Sequence, residues 1–243
     1  MHEASLHEEN CFLTLTYDDD HLPYGGTLVK SDFQKFMKRL RKKFSGERIR
    51  YYHCGEYGEK GQRPHYHACI FGFDFRDKVQ WSVRKGFPVW RSDVLEALWP
   101  LGNSEIGSLT FDSAAYCARY ILKKVTGFEA EYFYSEYDSE TGELFERLPE
   151  YTTMSRRPGI GAEWYRKFRD EVFPYDEVIV NGRPVRPPRF YGDLYELESP
   201  EGASEVRKRR QRSRRRDEET WERLLVRQVC DEARISLKER GLG

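Results

Sequence analysis

Two histidines, His65 and His67, stand one residue apart at the start of the apolar run HYHACIFGF. On a β-strand, residues i and i+2 point to the same face, so the two imidazoles would lie on one side, about 6–7 Å apart. Such a pair suits a metal ion, although an isolated His-x-His is more often two hydrogen-bonded side chains on a half-buried hairpin. No histidine follows His67. This excludes the metal enzymes that need further histidine ligands downstream.

A third metal ligand would have to be a carboxylate or come from upstream. Glu56 ends the neighbouring strand of the predicted hairpin, and Glu59 lies in its turn. Glu56 is close enough, across one strand pairing, to reach the face of the histidines. Two imidazoles and a carboxylate with open coordination positions suit Mn²⁺ or Mg²⁺ acting on a phosphate oxygen.

The segment AAYCARYILKK carries a second set of reactive side chains. Tyr116 and Tyr120 share one face of a helix at their spacing, with Arg119 and Lys123 along the same side. Tyrosines so spaced are most often core residues, but other apolar residues already predict a buried stripe: Ala115, Ala118, Ile121, Leu122 and Val125. A phenolate can attack phosphorus when a metal withdraws charge and a cation stabilises the oxyanion. Two tyrosines could then act in alternation.

The elements that must position these groups follow from the hydrophobic periodicity. Strands are predicted at residues 11–17, 48–54, 65–73 and 107–111. Helices are predicted after Ser31 and after Asp112 as N-caps, over RSDVLEALWP and in GAEWYRKF. A hairpin is predicted around Thr141-Gly142, and from about Pro174 the chain looks loop-like before a charged terminal helix. This order predicts an α+β domain with helices packed on an antiparallel sheet.

Composition narrows the class of protein. A length of 243 residues suits one domain, or one domain with an appendage, and 41 basic against 41 acidic residues give no net sign of a polyanionic partner. The five cysteines are scattered without a CxxC pair, which argues against zinc knuckles and disulfides and favours a reducing cytoplasm. No signal peptide or membrane-spanning run is predicted, so no membrane partner is expected.

Three segments, FLTLTY, RPHYHACIFG and YCARYILKK, occur in an order that resembles the HUH (His-hydrophobe-His) endonucleases that initiate rolling-circle replication. The Tyr-x-x-x-Tyr-x-x-Lys form is similar to that of microviruses. CGEYGEKGQRPHYH and MSRRPGIGAEWY are similar in particular to initiators of the gokushovirus group. The resemblance extends over roughly Cys11 to Phe168. Each motif is weak by itself, but their order and spacing together are specific.

The resemblance implies roles for individual residues. His65 and His67 would bind the divalent metal, Mg²⁺ or Mn²⁺, and Glu56 rather than Glu59 would be the acidic third ligand. Tyr116 and Tyr120 match the paired nucleophiles, with Lys123 beside them. Such enzymes nick origin DNA, retain the 5′ phosphate on tyrosine, leave a 3′-OH for a polymerase and later rejoin the ends without ATP.

The resemblance also implies the architecture. It predicts an antiparallel sheet of about five strands in a ferredoxin- or RRM-like layout, one strand more than the four identified from periodicity. The missing strand is expected after Thr126 or near the N-terminus. Residues 1–173 would form the endonuclease domain, and residues 174–243 a basic C-terminal extension.

The expected partner is single-stranded origin DNA, which needs cations along its phosphates and aromatic rings for its bases. The candidate cations are Lys38, Arg41, Lys42, Arg63 and Arg119, and the candidate rings are Tyr51, Tyr52, Trp81 and Trp90. The run RKRRQRSRRR (207–216) is either a DNA-binding arm or a paired helix face. No GxxxxGK[ST] motif occurs in this chain, so a host helicase and polymerase are expected partners.

Two alternatives stay open at this point. The first is a single-tyrosine nickase of the plasmid-initiator, relaxase or transposase type, in which Tyr116 or Tyr120 alone reacts. The second is a non-catalytic origin-binding protein on the same fold.

Overall fold

The computed structural model describes residues 1–58, 61–138, 141–213 and 219–236, and within these the side chains of residues 120–123 and 235–236 lie outside the description. The strands are β1 (Asn10–Thr16), β2 (Arg50–Tyr57), β3 (Pro64–Phe71), β4 (Val79–Arg84), β5 (Phe87–Arg91), β6 (Ser104–Ser108), β7 (Ser135–Tyr137), β8 (Leu144–Glu146), β9 (Tyr151–Met154), β10 (Val178–Val180) and β11 (Arg183–Val185). The helices are α1 (Lys30–Lys43), α2 (Asp93–Leu98), α3 (Phe111–Lys123), α4 (Phe128–Tyr134), α5 (Ala162–Val172), α6 (Arg189–Glu198), α7 (Pro200–Arg212) and α8 (Trp221–Ser236).

An antiparallel sheet of seven strands, in the order β4-β5-β6-β1-β3-β2-β9, organises the first part of the chain. The histidine strand β3 lies inside the sheet, hydrogen-bonded to β1 on one side and β2 on the other. Because side chains alternate along a strand, each strand sends one set of residues to each face. In β1, Cys11, Leu13 and Leu15 point to one face, and Phe12 and Thr14 to the other.

The two faces are covered by different helices. Helix α1 lays Phe33, Phe36 and Leu40 on the face of Leu13 and Leu15, and Leu95 and Leu98 of α2 join this main core. Helix α3 packs on the opposite face, against β2, β3 and β9. The smaller core beneath it contains Phe12, Cys54, Cys69, Phe71, Tyr116 and Cys117.

The predicted α+β class with an antiparallel sheet is confirmed. All four predicted strands are present, and the fifth is β9, which follows Thr126 as expected. The fourth strand lies earlier than predicted, because Leu109 and Thr110 leave the sheet and α3 begins at Phe111. The cap of α3 is Thr110 rather than Asp112, since the Thr110 side chain accepts from the Ser113 amide and Ser113 reciprocates.

Two further expectations about elements were incomplete. Helix α1 begins at Lys30, with Val29 rather than Ser31 at its cap position. The hairpin of β4 and β5 was not predicted; it turns through Lys85 and Gly86, both at positive φ, as tight hairpins prefer. The hairpin around Thr141-Gly142 is present as β7 and β8.

The chain divides into two compact units, the first ending at Ile160 and the second beginning at Gly161. The second unit has its own core, formed by Tyr165, Val172, Phe173, Val178, Tyr191 and Val206. The prediction of a loop-like chain from Pro174 was therefore wrong, because sparse apolar residues such as Tyr191 and Val206 anchor α6 and α7. The unit boundary lies before α5, not at residue 173. Among the described residues, no helix is long and apolar enough to span a membrane.

His53 predicts an acid-sensitive core. It is buried on the α1 side of β2, with its ring stacked on Phe33 at 3.6 Å and Nδ1 2.7 Å from Thr153 Oγ1. Burial, with a smaller effect of His67, lowers the pKa of His53 from 6.5 to about 3. The unfolded chain therefore binds this proton more readily, and folding stability should fall as the pH drops from 6.5 towards 3.

We expect the free energy of unfolding to lose on the order of 2–3 kcal/mol through His53 by about pH 4. Chemical denaturation at several pH values measures this loss. His53→Phe should flatten the pH dependence, whereas substitution of the exposed His21 by Gln should leave it unchanged. An unchanged slope in His53→Phe would contradict the assignment.

Candidate active site

The histidine pair lies on the α3 side of the sheet. His65 and His67 face the same way from β3, with ring centroids 6.4 Å apart and ring planes within 4° of parallel. Across the ladders, Glu56 of β2 is the partner of His65, and Thr14 of β1 is the partner of His67. The sequence-based expectation that Glu56 reaches this face is thus met by the strand register.

The ring of His65 is held by the backbone of its own turn. Its Nδ1 lies 2.5 Å from the carbonyl oxygen of Arg63, which also accepts from the Gly58 amide. A carbonyl only accepts, so the proton is on Nδ1 and Nε2 carries the lone pair. Burial, followed by the charge of His67, lowers the pKa of His65 and favours its neutral form. Glycine at 58 leaves room for this ring, since a Cβ there would lie 2.8 Å from His65 Cε1.

The ring of His67 has side-chain neighbours at both nitrogens. Its Nε2 lies 2.8 Å from Glu56 Oε1, and its Nδ1 lies 3.0 Å from Thr14 Oγ1. Phe12 stacks against the ring at a centroid distance of 5.6 Å. The predictions did not include Thr14, although it lies in the FLTLTY segment.

Glu56 joins the histidines to the tyrosine helix. The residue is 3% exposed, and its Oε1 accepts a 3.0 Å hydrogen bond from the Tyr116 hydroxyl as well as facing His67. Its Oε2 is buried, and the described part of the chain offers it no hydrogen-bond partner. An orphaned buried carboxylate oxygen beside two imidazoles is the donor chemistry that Mg²⁺ and Mn²⁺ accept.

The ligands are not arranged as a finished metal site. Among the described residues, no three His, Cys, Asp or Glu side chains form a set ready to hold a metal ion. Glu56 Oε1 and His67 Nε2 face one another instead, so coordination requires both to turn towards a shared cation. The assignment of His65, His67 and Glu56 to a metal stays a prediction, and Glu59 lies outside the described residues.

Tyr116 is packed into the site rather than projecting from it. It is 7% exposed, and its ring meets the His67 ring edge-on at a centroid distance of 5.0 Å. The predicted buried stripe of α3 was wrong, because Tyr116 and Cys117 face the sheet while Ala118 is exposed. Tyr120 lies one turn later and Lys123 ends the helix, but the side chains of both lie outside the description.

Three thiols lie between α3 and the sheet. Cys117 contacts Cys54 and Cys69, and all three are buried. Burial raises the pKa of the Cys117 thiol, and its hydrogen bonds with Cys54 and Cys69 act in the same direction. The cluster is thus neutral and serves to pack the helix on the sheet.

Thiol labelling tests this packing. Cys230 is exposed, whereas Cys11, Cys54, Cys69 and Cys117 are buried. We expect a maleimide to react rapidly at Cys230 alone in the native protein and at the other four cysteines after denaturation. Cys230→Ser should abolish the rapid phase. Rapid native labelling of Cys117 would show that α3 does not stay packed on the sheet.

The predicted DNA contacts fall in different places. Arg119 is on α3, half-buried, and Arg63 is beside His65, where it pairs with Asp19 at 2.7 Å. Lys38, Arg41 and Lys42 are on α1, on the opposite face of the sheet from the histidines. Arg41 donates to the Ile49 carbonyl and lies over the Tyr51 ring, so it has a structural role.

The candidate stacking residues also separate. Trp81 of β4 is 64% exposed, whereas Trp90 and Tyr51 pack against the main core and Tyr52 against the smaller one. In the basic run 207–216, three arginines bond within the second unit, to Glu196, Asp176 and the Phe173 and Pro174 carbonyls. Residues 214–216 lie outside the described residues.

Comparisons with known proteins identify relatives in phage replication. The family of the replication-associated protein ORF2 matches residues 10–125, which contain β1, the histidine pair and α3. Replication-associated protein VP4 of Bdellovibrio phage phiMH2K is 38% identical over 210 residues, 82% of this chain and 62% of that protein. Replication-associated protein ORF2 of Spiroplasma virus 4 is 33% identical over 72% of this chain and 52% of its own length.

A third relative, replication-associated protein ORF4 of Chlamydia phage 1, is 29% identical over 79% of this chain and 47% of its own length. The chain therefore spans between 47% and 62% of the length of these curated relatives. No solved structure matches the chain.

Proposed function

Because this chain is related to the replication-associated proteins of small phages, we propose that it initiates rolling-circle replication by nicking single-stranded origin DNA. The observation that carries this proposal is the contact of Tyr116 with Glu56, which also faces His67. A nucleophile, a carboxylate and an imidazole pair thus meet at one buried point. The alternatives, a single-tyrosine nickase and a non-catalytic origin-binding protein, are decided by the experiments below.

In the proposed reaction the Tyr116 oxygen attacks a phosphodiester of the bound strand. The bond from phosphorus to the tyrosine oxygen forms, and the bond to the 3′ oxygen breaks, which leaves a 5′-phosphotyrosine and a 3′-OH. Glu56 Oε1 already accepts the hydroxyl hydrogen bond, so it orients the phenol and can take its proton as attack proceeds. Attack of a 3′-OH on the phosphotyrosine reverses the steps and rejoins the strand without ATP.

His65, His67 and Glu56 would hold a divalent cation, Mg²⁺ or Mn²⁺, through imidazole nitrogens and a carboxylate oxygen. Such an ion supplies positive charge beside the scissile phosphate. The two oxygens of Glu56 then have separate tasks: Oε1 receives the tyrosine hydroxyl, and Oε2, the orphaned oxygen, is available for the cation.

Tyr120 is proposed as the second nucleophile, because its Cα lies one helical turn after that of Tyr116 on α3. Lys123 would stabilise the developing charge on the tyrosine oxygen. Alternation of the two tyrosines lets one enzyme cut the displaced strand while still linked to its end. A host polymerase would extend the 3′-OH, and a host helicase would separate the strands.

Trapping of a covalent adduct tests the reaction. Single-stranded oligonucleotides that tile the genome encoding the protein are labelled at the 3′ end, incubated with the protein and Mn²⁺, and run on a denaturing gel. We expect the 3′-labelled fragment to shift with the protein and the other fragment to be extendable by a polymerase. DNA binding without an adduct under any divalent metal would support the non-catalytic alternative instead.

Tyrosine substitutions separate the one- and two-nucleophile schemes. Tyr116→Phe and Tyr120→Phe should each retain one cleavage step but lose rejoining coupled to a second cleavage, and the double variant should form no adduct. Tyr132→Phe, at an exposed tyrosine of α4, is the matched control and should behave as wild type. If one single variant is inactive and the other fully active, the single-tyrosine alternative is correct.

Direct measurement of metal binding tests the ligand set without DNA. In calorimetry with Mn²⁺, His65→Ala and Glu56→Gln should each weaken affinity by about tenfold or more, because each removes a donor atom. Glu59→Gln examines the rival ligand, and Glu131→Gln, at an exposed acid of α4, is the control. Unchanged affinity in His65→Ala would refute the site.

A further inference from the structure

Thr14 contacts the histidine pair from a strand that carries none of the proposed catalytic groups. It lies in β1 as the ladder partner of His67, and its Oγ1 is 3.0 Å from His67 Nδ1. Thr16, two residues on, is the ladder partner of His65 but bonds to the Asn103 carbonyl at 3.4 Å. Two threonines on one face of one strand therefore have different relations to the two histidines.

The nitrogens of the two histidines are in different hydrogen-bonding states. His65 Nδ1 faces a carbonyl, so its proton is fixed there and its Nε2 lone pair is available to a cation. His67 Nε2 instead faces the Glu56 carboxylate, which is an acceptor, so in this arrangement Nε2 carries a proton. For His67 to donate Nε2 to a cation, the ring proton must be on Nδ1, where it needs an acceptor.

We propose that Thr14 is a positioning residue that supplies this acceptor and thereby selects the metal-binding tautomer of His67. Its hydroxyl donates to Nδ1 while Nε2 faces Glu56, and after rotation about the Cβ–Oγ1 bond it accepts from Nδ1–H. Phe12, stacked on the ring, limits its movement, so hydroxyl rotation rather than a ring flip accommodates the exchange. This inference rests on the proposed metal site.

The inference assigns a function to the FLTLTY strand that packing does not require. Thr14 is partly exposed, and its neighbours Leu13 and Leu15 already provide the buried contacts of β1. Valine has the shape of threonine and favours strands equally, but it offers neither a donor nor an acceptor to Nδ1. Outer hydrogen bonds of this kind typically change metal affinity by about 10–100-fold.

Thr14→Val, Thr14→Ser and Thr16→Val distinguish the hydroxyl from the strand. With Mn²⁺ in calorimetry, Thr14→Val should bind about tenfold more weakly than wild type, and Thr14→Ser, which keeps the hydroxyl, should restore affinity. Thr16→Val is the matched control and should bind as wild type. Wild-type affinity in a folded Thr14→Val protein would overturn the inference while leaving the metal site intact.

A measurement on the wild-type protein covers the case in which Thr14→Val does not fold. Nitrogen-15 NMR of the histidine rings during titration with Mg²⁺ should show the His67 proton on Nδ1 at saturation. A proton on Nε2 at saturation would overturn the inference. Absence of any Mg²⁺ or Mn²⁺ binding to the wild type would refute the proposed metal site itself, and this inference with it.

Discussion

A single carboxylate oxygen, Glu56 Oε1, links the sheet to the helix that carries the tyrosines. Removing a carboxylate from water is costly unless polar partners replace the solvent. His67 from β3 and Tyr116 from α3 both come to this oxygen, so the same buried charge fixes the relative placement of three elements. The thiols of Cys54, Cys69 and Cys117 fill the space beside it with small neutral groups. Burial of the charge and assembly of the site are therefore one event.

The register that brings Glu56 to the histidines is secured from the other side of the sheet. Tyr66, between the two histidines, points into the main core, where its hydroxyl lies 2.8 Å from that of Tyr17 and accepts from the Val29 amide. A slip of one residue would move Tyr66 to the site face and the histidines into the core. The residue that separates the His pair thus holds β3 against the start of α1.

The candidate site was predictable from sequence because its chemistry ties residue types to fixed spacings: His-x-His on a strand and two tyrosines a turn apart on a helix. The buried face of α3 was not, because Ala115 and Ala118 are as compatible with burial as Tyr116, and the choice depends on the Glu56 contact. Nor can periodicity show which face of a sheet a helix covers, so the cations of α1 were expected beside DNA that the histidine face would bind. The second unit was missed because its core is built from few, widely spaced aromatic and valine residues.

The sheet ends at β4, which among the described strands pairs with β5 alone. Val79, Trp81 and Val83 of this strand are exposed, a composition that would allow another chain to add itself to the edge. The irregularity between Gln80 and Ser82 interrupts the ladder in the middle of the strand. Because a bulge twists an edge away from straight pairing, this small defect keeps a rather apolar border from becoming a site of fibrillar growth.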